Sequence, residues 1–229
     1  MRSQVYAEID WEREQAGVAA IDDILRQVIR SPVRPQFSRF LAHFQRVQQF
    51  EVDQTGFSAM MLYFLYAVGV MSDAKRVVGI GLYAGISFCT LTAGARDANG
   101  DEVQGLGLDE NPDHVAASRL NAHRSGLDNL IEFIAGPPRI ALGAVKAPID
   151  LFMLDVHHPV REKDDYLPLA RQATPLMRPG SILLAHDACV PRWQGVIDEL
   201  VGFLRGSGCY DGPWTLPVDS TGILVAVRR

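Results

Sequence analysis

Apolar residues recur at helical spacing through the first quarter of the chain. Beyond residue 75 they gather instead into short runs separated by amphipathic stretches. Val18, Ile21, Leu25, Val28 and Ile29 fall on one face of a helix. Ser31-Pro32 and Pro35 end it, and Phe37, Phe40, Leu41 and Phe44 begin a second. After Gly56 comes a third apolar segment, Ala59–Val70, which stops near Gly69 and Ser72-Asp73. The first 75 or so residues therefore read as a helical flank, with 1–55 as a cap and 56–229 as the main domain.

From Lys75 the period alternates. Arg76–Gly81, Glu102–Asp109, Leu130–Ala135, Ile149–Leu154 and Ser181–Ala185 are short runs of the kind that buried parallel strands need. Between them Ile86–Ala95, Asn111–Arg124, Arg139–Val145 and Asp164–Met177 read as helices, the second with Pro112 in its first turn. Arg178-Pro179-Gly180 reads as a stop, and Gln194–Arg205 as the last helix. Trp214–Val218 and Thr221–Val227 read as a closing antiparallel pair joined by Asp219-Ser220. The expected fold is α/β: a doubly wound, Rossmann-like sheet of seven strands, mostly parallel, with N-terminal helices.

Composition narrows the class without changing the fold. The chain has 229 residues, 48% of them hydrophobic and 21% charged, enough apolar material for one α/β domain with an appendage. A net charge of -5 argues against a nucleic-acid partner, which needs clustered Lys and Arg. Residues 1–16 are polar and show no secretory leader, and Ala59–Met71 is too short to span a bilayer. Cys89, Cys189 and Cys209 form no C-x-x-C pair and read as reduced thiols. A cytoplasmic protein with no membrane partner is expected.

In such sheets ligands bind beyond the carboxyl ends of the strands. Val77–Ser87 contains a strand, a tight glycine turn at Gly81 and Gly85, and a helix start, the ingredients of a nucleotide site. It is neither the dinucleotide fingerprint nor a P-loop. Asp109 ends the second strand, where an acid can hold both ribose hydroxyls; alternatively it caps the helix from Asn111. Asp155 ends the fourth strand, and His186-Asp187 the fifth. Two carboxylates and an imidazole on neighbouring strand ends suit a divalent metal such as Mg2+, unless the acids cap loops and the imidazole packs. His157 and His158 follow Asp155 directly, either as a general base on a hydroxyl or as solvated loop residues. Asp164-Asp165 reads as a helix N-terminal charge pair.

From about Gly56 onward the chain resembles the small S-adenosylmethionine-dependent class I O-methyltransferases of the catechol and caffeoyl-CoA type. Gly81-Leu-Tyr83-Ala-Gly85-Ile-Ser87 is similar to their Gly-x-Tyr-x-Gly-Tyr-Ser turn, and Asp109-Glu110-Asn111-Pro112 to their acidic-x-Asn-Pro run. Ala135-Gly136-Pro137-Pro138 stands at the adenine segment. Phe152-Met153-Leu154-Asp155 resembles the metal-ligand strand, and Leu176–Gly180 with Leu183–Ala185 resembles the Leu-Leu-Arg-Pro-Gly-Gly strand. Thr221–Arg229 resembles the terminal strand. The resemblance implies S-adenosylmethionine as cofactor, held by Gly81, Tyr83, Gly85, Ser87, Asp109, Gly136, Pro137 and Asp155. It implies a divalent metal on Asp155, His186 and Asp187, with His158 at the position of the catalytic Lys.

Three departures accompany it. Gly79 stands where the family has an acid that helps hold the methionine amino group. His186-Asp187 replaces an Asp-Asn pair, and Pro137-Pro138 removes polar groups beside adenine. The expected activity is methyl transfer to a hydroxyl of a small phenolic or secondary-metabolite substrate. The departures keep two alternatives in view: a same-fold cyclase or isomerase that transfers no methyl, and a binding protein with a degenerate pocket. The relatives include monomers and dimers, which leaves a homodimer open.

Overall fold

The computed structural model describes residues 9–52, 56–145, 148–158 and 160–229. The expected boundary at residue 55 and part of the N-terminal segment read above fall outside the described residues. Three helices come first: α1 (Trp11–Ile29), α2 (Phe37–Val47) and α3 (Ala59–Met71). The Asp10 side chain caps α1 by accepting from the Glu12 and Arg13 amides. Nearly every residue of α3 is buried, because its sequence is apolar all round. No helix among the described residues is long and apolar enough to cross a membrane.

The rest alternates as expected: β1 (Arg76–Ile80), α4 (Ile86–Asn99), β2 (Gln104–Asp109), α5 (Pro112–Ser125), β3 (Ile131–Ala135), α6 (Pro138–Gly143) and β4 (Ile149–Leu154). Then follow α7 (Tyr166–Ala173), β5 (Met177–His186), α8 (Gln194–Gly206), β6 (Tyr210–Leu216) and β7 (Ile223–Arg228). The seven strands form one sheet in the order β3-β2-β1-β4-β5-β7-β6. Strands β1 to β5 pair in parallel, and β7 runs antiparallel to both neighbours. The order reverses between β1 and β4, so the crevice of this sheet opens at their carboxyl ends.

Helices cover both faces. One apolar cluster joins α1 to α4 with one face of the sheet, and a second joins α7 and α8 with the other. The N-terminal helices are thus a layer of the same core. Helices α3 and α4 cross backbone to backbone at Gly69 and Gly94: a Cβ on Gly69 would run into the Leu91 carbonyl, and one on Gly94 into that of Tyr66. On β1 and β2 the Phe88 ring of α4 approaches three glycines. It fills the Cβ place at Gly79, at 2.5 Å, while Ile131 and Phe133 come nearer than Phe88 at Gly105 and Gly107.

Several boundaries differ from the sequence expectation; α4, for one, runs on to Asn99. Helix α7 ends at Ala173 and not at Met177, because Thr174–Leu176 tightens into a 3-10 turn around Pro175 and Met177 opens β5. Arg178-Pro179-Gly180 does not stop the chain. It continues β5 past an irregularity opposite Ile149–Leu151. Strand β6 begins four residues early, at Tyr210, with a register shift between Asp211 and Trp214.

Candidate functional site

The glycine turn after β1 sits directly in the crevice. Gly81 has φ +84, and a Cβ there would collide with the Asp155 carbonyl, so only glycine lets the ends of β1 and β4 approach this closely. Tyr83 also adopts a left-handed conformation, with φ 51. Gly85, with φ +74, forms the N-cap of α4 without a side-chain cap, which leaves the first amides of that helix to a ligand. Asp109 is almost fully buried below this turn. Its Oδ2 accepts from the Leu82 amide at 2.7 Å and the Tyr83 amide at 3.3 Å, and its Oδ1 from the Asn111 amide at 2.9 Å. His114 Nδ1 lies 3.2 Å from the same Oδ1. The capping of α5 falls instead to Asn111, whose side chain accepts from the Asp113 amide. Asp109 therefore does not cap α5; it fixes the glycine turn and lines the cleft.

The cleft has a volume of about 540 Å3 and runs from Asp109 past the glycine turn to Asp155, His186 and Asp187. That size is in the range of small-molecule and cofactor sites. Gly81, Tyr83, Ser87, Asp109, Asp155, His186 and Asp187 all line it. Gly85, Gly136 and Pro137 do not. Gly85 shapes the turn, Gly136 donates its amide to the Asp109 carbonyl, and Pro137 caps α6, while the buried Pro138 ring faces the cleft.

His158 is likewise not among the lining residues. Its Nδ1 accepts from the Val160 and Arg161 amides at 3.0 and 3.1 Å, and its Nε2 lies 3.6 Å from Glu110. The backbone explains this placement. His158 and Glu162 exchange both of their backbone hydrogen bonds, which holds these two residues side by side. The imidazole on the cleft is that of His157, edge-on to Trp193 at 5.9 Å. Asp165 stands at the start of α7 as expected, as its N-cap residue, and its side chain receives Arg139 and Arg161.

This pairing delivers a residue that no spacing singled out. The Lys163 ammonium lies 2.7 Å from Asp187 Oδ2 and 3.1 Å from Asp155 Oδ1. It also bonds the Tyr166 hydroxyl at 2.9 Å and sits 4.9 and 4.8 Å from the Tyr166 and Trp193 ring centres. Its side chain is 1% exposed. Glu162 ties the loop down by accepting from Arg192 and from Trp193 Nε1.

The protonation of the cluster follows from its hydrogen bonds. Thr221 has one hydroxyl hydrogen and gives it to Asp219 Oδ1 at 2.6 Å, so it must accept from His186 Nε2 at 2.9 Å. His186 Nδ1 faces carboxylate oxygens, Asp155 Oδ1 at 3.3 Å and Asp187 Oδ1 at 3.5 Å, which favour the imidazolium. Burial disfavours that charge, but Asp155 and Asp187 outweigh burial and push its pKa up to about 9. Burial raises the Asp187 carboxyl, and His186 with Lys163 overcomes this to hold it at about 2. Burial also opposes the charge on Lys163, yet Tyr166, Asp155 and Asp187 raise its pKa. Asp187 holds φ 62, a strained backbone for a non-glycine residue, and the Phe57 ring stacks on His186 at 4.2 Å.

The expected metal donors do converge: ligand atoms of Asp155, His186 and Asp187 lie within 4.8 Å of one another. As packed they do not fit a divalent ion, because the Lys163 ammonium already stands between the Asp155 and Asp187 carboxylates.

Comparison with known proteins bears on the family. Residues 78–188 match the sequence model of a methyltransferase domain. The catechol O-methyltransferase of Mycobacterium tuberculosis (strain ATCC 25618 / H37Rv) is 27% identical over 150 residues, 65% of this chain. The match spans 63% of that relative's length. Among solved structures, an O-methyltransferase from Bacillus cereus in complex with SAH superposes with a TM-score of 0.65 at 18% identity, over 92% of this chain and 97% of that one. The O-methyltransferase TomG from Streptomyces achromogenes, in complex with SAM, gives 0.66 at 16% identity over 96% and 99%. These two share the fold. Over residues 78–188 the chain is thus similar to a methyltransferase domain, and over 150 residues to a catechol O-methyltransferase.

Proposed function

We propose that this protein transfers the methyl group of S-adenosylmethionine to a hydroxyl oxygen of a small phenolic or secondary-metabolite acceptor. The observation that carries this is the single cleft joining the glycine turn and Asp109 to the Asp155, His186 and Asp187 cluster. The relatives support it in name: one acts on a catechol, and another is an O-methyltransferase involved in tomaymycin synthesis.

Bound S-adenosylmethionine supplies a methyl group on a positively charged sulfur, an electrophile that needs no further activation. The protein's part is positioning and proton removal, because an attacking oxygen must be held in line about 3 Å from the methyl carbon. Asp109 and the uncapped start of α4 suit the ribose and the methionine carboxylate. Asp155 suits the methionine ammonium: it lines the cleft, and its Oδ2 has no donor among the described residues. This would replace the family's acid, whose place at Gly79 is filled by Phe88. His157 is better placed than His158 to take the hydroxyl proton, since only His157 reaches the cleft. The divalent metal expected from the sequence has no part here.

Incubation with labelled S-adenosylmethionine and a panel of phenols and catechols tests the proposal. Label in an extractable ether product supports it. Binding of SAH without transfer to any acceptor would favour a same-fold enzyme that moves no methyl. Absence of SAH binding by calorimetry would leave the degenerate binding protein.

A further inference from the structure

We propose that the Lys163 ammonium is a permanent internal cation standing where related sites would take a divalent metal, so that this protein holds its acceptor without chelation. The placement rests on geometry alone. Nζ bonds one oxygen of Asp155 and one of Asp187, the two carboxylates a metal would have to bridge. Tyr166 and the Trp193 ring close around it, and the side chain is 1% exposed. Metal–oxygen bonds are about 2.0–2.6 Å long. An ion bridging these carboxylates would therefore have to displace the ammonium or sit against it. Displacement is resisted, because the paired backbone of His158 and Glu162 and the anchoring of Glu162 to Trp193 fix the loop that carries Lys163.

A consequence for substrate follows, and this part rests on the methyl-transfer proposal. A metal binds both oxygens of a vicinal diol and so selects catechols. With an ammonium whose protons are already committed to Asp155, Asp187 and Tyr166, no such bidentate grip exists. Acceptors with a single hydroxyl beside an aromatic ring should serve as well as catechols.

The test is a titration of the chelator-treated protein with Mn2+, followed by electron paramagnetic resonance. Wild type should show no saturable Mn2+ binding at millimolar ion. Lys163→Met removes a like charge from beside the carboxylates and should bind Mn2+ at least about tenfold tighter than wild type. Stoichiometric Mn2+ in wild type would overturn the proposal. So would a Lys163→Met protein, folded by circular dichroism, that binds no more ion than wild type. If that variant does not fold, the wild-type titration decides alone. Comparable turnover of a monophenol and a catechol, unaffected by EDTA, is expected in parallel. Loss of turnover with EDTA, restored by Mg2+, would refute it. Failure to methylate anything, with Mn2+ still excluded, would sink the activity and leave the internal cation standing.

Discussion

Acidification should loosen the N-terminal layer through one buried histidine. His43 of α2 is buried against α4, where its Nε2 meets the Thr90 hydroxyl at 3.1 Å. Burial, aided by Arg46, pushes its pKa from 6.5 down to about 3. The surrounding groups offer little relief for an added charge. Arg39, Arg46 and Arg96 line the small cleft beside it, and the acid there, Asp97, is bonded by Tyr66. The folded state therefore binds the His43 proton more weakly than the unfolded state does. This contribution to stability is fully present above about pH 6.5 and is lost as pH falls towards 3. Each pH unit below 6 removes about 1.4 kcal/mol, or about 3 kcal/mol by pH 4. Urea unfolding of wild type and His43→Gln between pH 7 and pH 4 isolates the effect, because every other group titrates in both proteins. The Gln amide can still meet Thr90 but cannot protonate. It should cost about 1 kcal/mol at pH 7 for lost packing, and then lose about 3 kcal/mol less than wild type by pH 4. Parallel stability curves would refute the reasoning.

Other perturbations probe the cleft. Asp109→Ala should weaken SAH binding by calorimetry about 10- to 100-fold, the worth of hydrogen bonds to a charged group, and should also free the Leu82 and Tyr83 amides. Gly79→Asp, which restores the family's acid, should instead drive a Cβ into Phe88. Overpacking of about 1–3 kcal/mol should lower Tm by about 2–12 °C, with no gain in SAH affinity. His157→Ala should lower methyl transfer about 100-fold or more, and His158→Ala much less; the reverse order would return the proton to His158. Phe57→Ala removes the ring stacked on His186 and should raise the acceptor KM while SAH affinity holds.

Much of this was legible in the chain because it depends on local pattern. The runs that became β1 to β5 were apolar enough for a sheet covered on both faces. Topology then forced Asp109, Asp155 and His186-Asp187 to its carboxyl edge. Lys163 was not legible, since nothing in Arg161–Asp165 separates one charged loop residue from the next. Its burial depends on the backbone pairing of His158 with Glu162, a tertiary closure with no periodicity. The same closure turned His158 towards Glu110 and left His157 on the cleft. Pro179 and Gly180 suggested a stop, but β5 begins at the edge of its pairing with β4, where a proline amide is not needed.

Phe88 and the three glycines beneath it also constrain how this sequence can change. A side chain at Gly79 meets the ring first, one at Gly105 or Gly107 meets Ile131 or Phe133 as well, and a smaller residue at 88 leaves a hole above Gly79. Each single step away from the present arrangement is penalised, although a coordinated exchange could be tolerated. The missing acid is therefore not one substitution away from return. Restoring an acid at 79 would take a paired change at 79 and 88, not a single substitution.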